Sequence, residues 1–86
     1  MMLQLRTTDL DWREIDQDIV ILDGRDASYL TLNGSGALLW RTLAEGASRD
    51  ELIGALLAVY EVDATRASAD TDAFLESLYA RGFLAA

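Results

Sequence analysis

The spacing of apolar residues changes once along this chain of 86 residues, and that change restricts the possible folds more than any other feature. In the first third, apolar residues occur in short continuous or alternating runs that are typical of β-strands. In the remainder, apolar residues recur at spacings of three and four, which is typical of amphipathic helices. Gly residues separate these segments, and Pro is absent. We therefore expect one small α+β domain over residues 1–86, with strands first and helices afterwards.

The extended third predicts a three-stranded antiparallel sheet. Residues 19–22 are a run of β-branched and apolar residues that fits a strand buried on much of both faces. Residues 28–32 alternate strictly and fit a half-buried strand. Between them, residues 23–26 predict a hairpin turn, because Asp-Gly supplies the positive φ that a tight turn requires. A short apolar segment at residues 2–5 precedes an acid-rich stretch and completes this third.

Three helices are predicted after the strands. Asn33 is a suitable N-cap for the first helix, which ends at Gly46. Ser48 and Glu51 form a capping box that opens the second helix. Gly82 fits the residue with positive φ that follows the third. The predicted apolar faces are Ala37, Trp40, Leu43 and Ala44, then Ile53, Leu56, Leu57 and Tyr60, then Ala67, Thr71, Phe74 and Leu78. Three helices and a hairpin in a chain of this size indicate a winged-helix-like domain.

Composition excludes several classes of function. With 15 acids against 7 bases and a net charge of −8, the chain lacks the basic surface that nucleic acid or anionic lipid requires. It contains no Cys and no His, so thiol chemistry and the commonest metal ligand and general base are missing. No apolar run is long enough to span a membrane, and no secretory signal is visible. We expect a cytoplasmic protein without a metal or cofactor.

Carboxylates are the only abundant catalytic candidates. Asp16 and Asp18, or Asp70 and Asp72, are two residues apart, so on a helix the members of each pair point in different directions. The acid-rich stretch lacks the Gly and the bidentate Glu of a calcium loop. Residues 34–36 are too short for a phosphate-binding loop and carry no Lys. We interpret these features as a solvated acidic surface and a close-packed turn, and we expect no catalytic residue.

The predicted strand at residues 28–32 is the best candidate for a binding surface. Leu30 and Leu32 share one face, whereas Tyr29 and Thr31 share the other. If this strand lies at the sheet edge, its free N–H and C=O groups can pair with an extended peptide, with the third helix as a second wall. Tyr79 on that helix and Tyr29 are the aromatic residues that mark either this surface or peripheral packing. Alternatively, the N-terminal strand covers the edge, since sequence does not decide strand order.

The last two-thirds of the chain carries a recognisable combination of motifs. Residues 32–33, 36–37 and 39–40 read Leu-Asn, Gly-Ala and Leu-Trp, in an order and spacing that resembles the PqqD family. Further matching positions are Glu51, Leu52, Ala55, Leu56, Tyr60, Val62, Asp63, Asp70, Phe74, Leu75, Leu78, Arg81 and Gly82. The resemblance covers residues 20–84 and is specific as a combination, although each piece alone is weak.

The resemblance implies a non-catalytic winged-helix-like protein that binds the leader of a ribosomally synthesised precursor peptide and presents it to a modifying enzyme. In the family, the leader adds as an antiparallel strand beside the third strand and rests against the third helix. Carried over to this chain, the peptide-binding residues are Ser28, Tyr29, Leu30, Thr31 and Leu32 on the strand, and Asp72, Leu75, Glu76 and Tyr79 on the helix. Trp40, Phe74 and Leu78 match positions that we assign to the core.

The pathway and the oligomeric state stay open at this point. The chain resembles stand-alone members, which serve either a lasso-peptide leader protease or a radical-SAM enzyme of quinone-cofactor biosynthesis. Its short N-terminal arm and acidic, Cys-free composition favour the lasso subunit. A winged-helix DNA-binding regulator is the remaining alternative, which the shortage of basic residues on the second and third helices disfavours. The apolar run at residues 19–22 allows a monomer or a weak dimer.

Overall fold

The computed structural model describes residues 2–85. Three strands are followed by three helices: β1 (Leu10–Ile15), β2 (Asp18–Asp23), β3 (Ser28–Leu32), α1 (Gly34–Ala44), α2 (Arg49–Val59) and α3 (Ala64–Ala80). The strands form an open antiparallel sheet in the order β1-β2-β3. This arrangement confirms the α+β fold class that the change of hydrophobic period predicts.

Strand β1 lies in the acid-rich stretch and not in the apolar segment that precedes it. Acidic residues there occupy positions that face solvent, whereas Trp12 points inward and is half-buried. The apolar residues of the N-terminal segment form isolated bridges instead, from Leu3 to Ala47 and from Leu5 to Leu84. The segment therefore joins the helical part of the molecule.

The turn between β2 and β3 differs from the expected Asp-Gly hairpin. Positive φ occurs at Ala27 (59°) and not at Gly24. The connection spans residues 24–27 and is too long for a two-residue turn, so Asp-Gly is not its pivot. Gly24 instead permits a close approach, since its N–H donates to the Asp9 carbonyl at 2.8 Å and a Cβ would lie 3.3 Å from that oxygen.

Strand β2 is buried on one face only, which corrects the expectation of burial on both. Ile19 and Ile21 are fully buried against the helices. Val20 is half-buried and Leu22 is exposed on the opposite face. The physical reason is that all three helices pack on one side of the sheet or against each other, so no second layer covers the other side within residues 2–85.

The core lies between the inner face of the sheet and the helices. Trp40 is fully buried, and its ring packs edge-to-face on Trp12 and on Phe83, each at a centroid distance of 6.1 Å. Leu78 is buried as expected, and Phe74 is half-buried against the core. Trp40 and Leu78 therefore belong to the core, as predicted. Phe74 lies at the border of the core.

The predicted face of α2 is displaced by one residue. Leu52 and Leu56 form the buried stripe, whereas Leu57 and Tyr60 are exposed. In α1, Ala44 is also exposed, although the rest of the predicted face is buried. Spacings of three and four fit more than one stripe on such apolar helices, and packing against neighbouring helices selects the stripe.

Local signals at the helix ends are largely confirmed. Ser48 and Glu51 form the reciprocal capping box of α2. Gly82 has a φ of 72° after α3. Asn33 occupies the N-cap position of α1, but its side chain makes no capping hydrogen bond. Across residues 2–85, no helix has both the length and the apolar content needed to cross a bilayer.

Candidate functional site

Strand β3 lies at an edge of the sheet, because the strand order is β1-β2-β3. The N-terminal segment does not cover this edge, since its bridges go to Ala47 and Leu84. The alternative in which an N-terminal strand covers β3 is therefore wrong for the described residues 2–85. In an antiparallel pair, alternate residues of an edge strand direct N–H and C=O away from their partner. Strand β3 thus offers a row of backbone groups to an incoming strand.

The five residues of β3 divide between two faces. In the register with β2, Leu30 lies opposite Ile21 and Leu32 lies opposite Ile19, so both leucines face the core. Tyr29 lies opposite Leu22 on the outer face and is 72% exposed. A strand added to β3 would therefore place alternate side chains over the helices and over the outer face.

Helix α3 runs beside β3 in the opposite direction. Near the start of β3, Arg25 donates from Nη2 to the Arg81 carbonyl at the end of α3, at 2.8 Å. Near the end of β3, Gly34 and Ser35 line one cavity with residues from the N-terminal part of α3. The helix and the strand make few direct backbone contacts. The two elements are therefore joined at the Arg81 end and share a cavity at the other end, and we refer to the space between them as the groove.

The cavity at the Leu32 end of this groove has a volume of about 230 Å³. Its lining residues are Gly34, Ser35, Leu56, Tyr60, Val62, Arg66 and Asp70. On its rim, Arg66 Nε lies 3.1 Å from Asp70 Oδ2. The cavity combines an apolar base with a charged rim, which suits an apolar or aromatic side chain of a peptide.

An ion-pair cluster fixes the other end of the groove. Asp23 is buried, and its carboxylate accepts from Arg25 Nη2 at 3.0 Å and from Arg6 Nη2 at 2.9 Å. The Arg25 side chain and backbone N–H, and then Arg6, hold the pKa of Asp23 far below its usual value. Arg6 also donates to the Gly82 carbonyl at 3.0 Å. The cluster thus connects the N-terminal segment, the β2–β3 loop and the end of α3.

The helix residues predicted for the site lie on a different flank of α3 from the cavity. Asp72 is paired with Arg49 at the start of α2, with oxygen–nitrogen distances of 2.6 and 2.8 Å. This pairing lowers the pKa of Asp72. Leu75 is half-buried against the core, and Glu76 is exposed. Tyr79, seven residues after Asp72, shares its helical stripe and is 78% exposed. Within residues 2–85, the contacts of Asp72 thus connect this stripe to α2.

Sequence reasoning missed Arg66 and Asp70, which line the cavity beside the end of β3. Phe74 follows Asp70 by four residues and therefore shares its stripe. The available signal was the i,i+4 spacing of Arg66 and Asp70 one turn before a half-buried aromatic residue. An Arg–Asp pair at this spacing is common on exposed helices. It indicates a binding site here only because Gly34 and Ser35 line the same cavity.

Between residues 2 and 85, no cluster of three His, Cys, Asp or Glu side chains could hold a metal ion. The buried carboxylate, Asp23, is fully engaged by two arginines. What the geometry offers is a free strand edge, a helix antiparallel to it and a small cavity with a charged rim at one end.

These features define a class of small α+β domain that can accept an extended peptide at its sheet edge. The chain belongs to the PqqD family, because residues 18–84 match the family described as "Coenzyme PQQ synthesis protein D (PqqD)". Membership confirms the resemblance seen in the Leu-Asn, Gly-Ala and Leu-Trp motifs.

Two solved structures are similar to this chain over almost their whole length. One, "TbiB1 in Complex with the TbiA(beta) Leader Peptide", is 27% identical, has a TM-score of 0.87 and covers 94% of this chain and 93% of its own. The other, "Lasso peptide synthetase B1 complexed with the leader peptide", is 32% identical, has a TM-score of 0.86 and covers 98% of both chains. No curated protein matches the chain.

Proposed function

We propose that this chain is a non-catalytic recognition protein that binds the leader segment of a ribosomally synthesised precursor peptide by β-strand addition. The observation that carries the proposal is the free edge of β3 beside α3. Two relatives of the same fold, at 27% and 32% identity, were solved in complex with leader peptides.

The leader pairs with β3 as a fourth antiparallel strand. Backbone hydrogen bonds supply affinity with little dependence on sequence, whereas side-chain pockets supply specificity. Leader residues that point inward lie between β3 and α3, and one apolar or aromatic side chain enters the cavity beside Tyr60. The proposed strand contacts are Ser28, Tyr29, Leu30, Thr31 and Leu32.

Two neighbouring flanks of α3 can form the helix wall of the site. The family resemblance predicts contacts from Asp72, Leu75, Glu76 and Tyr79, and these remain a prediction. The shared cavity with Gly34 and Ser35 supports the neighbouring flank, which carries Arg66 and Asp70. We expect Phe74, which is half-buried against the core, to contact an inward leader side chain.

The protein delivers the bound precursor to an enzyme, which is a leader protease or another modifying enzyme. The similarity to lasso peptide synthetase B1 supports a lasso-type pathway in which the leader is removed. The family description, which names coenzyme PQQ synthesis, supports the alternative of a partner for a radical-SAM peptide-modifying enzyme. Neither assignment requires a cofactor on this chain, and the protein acts as a monomer or weak dimer in the cytoplasm.

A fluorescence-anisotropy titration tests the binding function. The probe is a labelled leader encoded by a short reading frame beside this gene, and a scrambled leader is the control. We expect saturable binding that scrambling abolishes, and we expect Tyr29→Ala to weaken it about tenfold because Tyr29 lies on the pairing strand. Equal binding of both peptides, or of neither, would contradict the proposal.

A further inference from the structure

The outer face of the sheet carries an apolar strip, flanked by Asp11 and Arg13 on β1, that no described part of the chain covers. Ile15 on β1 is 53% exposed, Leu22 on β2 is 48% exposed and Tyr29 on β3 is 72% exposed. Val20 lies between them and is half-buried. Single exposed apolar residues are ordinary, but a strip across three adjacent strands is typical of an interaction surface.

The strand register joins these residues into one surface. Leu22 pairs with Asp11 on one side and with Tyr29 on the other, and Val20 pairs with Arg13 and Thr31. Residues facing the same way on paired strands lie side by side. A shallow groove of about 310 Å³ runs along the strip, and its lining residues are Asp11, Trp12, Arg13, Ile15, Val20, Leu22 and Tyr29.

The strip ends at the edge of β3, where the leader is proposed to add. A strand paired with β3 directs every second side chain to the outer face, beside Tyr29 and Thr31. The outward residues of the leader therefore extend the strip by one strand. A molecule seated on the outer face contacts the recognition protein and the bound leader together.

We propose that the outer face of the sheet is the docking surface for the enzyme that acts on the precursor peptide, and that the bound leader completes this surface. The inference rests on the proposed leader-binding function, because continuity with the leader strand identifies the occupant. A second copy of the chain fits less well, since each copy carries a net charge of −8 and like charges repel. The enzyme surface that fits is apolar with a basic rim, which the acidic chain attracts.

The test uses the purified protease or modifying enzyme encoded beside this gene and measures its affinity for the full chain, with and without leader. We expect Ile15→Ser and Leu22→Ser each to weaken enzyme binding about tenfold, because each removes an apolar contact from the proposed surface. Their affinity for the leader alone should stay within about twofold, since neither residue lies on β3. Val59→Ser is the matched control, because Val59 is 63% exposed but lies on α2.

Three results would overturn the proposal: no enzyme binding by the unsubstituted chain, no effect of Ile15→Ser, or an equal loss for Val59→Ser. If Leu22→Ser fails to fold, Ile15→Ser alone tests the proposal. Ile15 lies at the end of an edge strand, so its substitution should leave the fold intact. A dimer in sedimentation that Ile15→Ser dissociates would assign the face to a second copy instead. If no leader binds the unsubstituted chain, the proposed function fails, whereas the enzyme titration without leader still tests the outer face.

Discussion

At the scale of single residues, Asp23 connects the start of β3 to the end of α3 through two arginines. Its carboxylate holds Arg6 and Arg25, which in turn donate to the Gly82 and Arg81 carbonyls after α3. Such a carboxylate stabilises the fold only while it is ionised, because the protonated form loses both charge-assisted hydrogen bonds. Its folded pKa lies far below the unfolded value of about 3.9.

This depressed pKa predicts a specific acid sensitivity. The contribution of Asp23 is fully present above the unfolded pKa and is lost as the pH falls towards the folded pKa. We expect the urea midpoint of unfolding to fall as the pH drops below about 4, and we expect Asp23→Asn to flatten this dependence while lowering stability at neutral pH. Asp16→Asn, in the exposed β1–β2 turn, is the control. Equal pH profiles for the two variants would contradict the role of the cluster.

Trp40 determines the packing of the core, and its substitution predicts a graded loss of stability. Trp40→Ala removes the ring that packs on Trp12 and Phe83 and should lower the free energy of unfolding by about 3–5 kcal/mol. Trp40→Phe should cost less, because it keeps a ring and removes an indole N–H that finds no acceptor among residues 2–85. Urea denaturation followed by circular dichroism measures both. A Phe variant no more stable than the Ala variant would contradict this account.

At the scale of elements, signals within a few residues were sufficient to predict structure, and signals that depend on packing were not. The capping box of Ser48 and Glu51 and the positive φ of Gly82 are local, and both were predicted. The position of β1 was missed because its charged residues conceal two inward apolar residues, Leu10 and Trp12. The buried stripe of α2 was displaced because the pair Leu52 and Leu56 and the pair Ile53 and Leu57 fit a helical face equally well until a neighbour selects one.

The flank of α3 that lines the groove also depends on packing, and a pair of variants tests it. Ser77 lies seven residues after Asp70 on the cavity flank, whereas Tyr79 lies on the flank of Asp72. We expect Ser77→Trp to weaken leader binding about tenfold by obstructing the groove, and Tyr79→Ala to change it less than about twofold. Anisotropy titration measures both, with circular dichroism to verify folding. The reverse order would restore the helix wall that the family resemblance predicts.

At the scale of the whole molecule, the sequence predicted the strand-then-helix order and the family, but not which surfaces are free. A strand of five residues is about 17 Å long, so the leader site occupies one edge of a molecule measuring 37 × 30 × 19 Å. The outer sheet face remains available to a second partner. The strand order determines which sheet edge and which sheet face are free, and neither residue composition nor periodicity specifies that order.

Strand addition at β3 is the central claim, and hydrogen exchange of the full chain with and without the neighbour-encoded leader tests it most directly. We expect the leader to slow exchange at alternate amides of β3, because only those N–H groups face the edge. Amides of β1, at the opposite edge, should exchange at the same rate in both states. Protection confined to another element, or unchanged exchange in β3 at saturating leader, would contradict the claim.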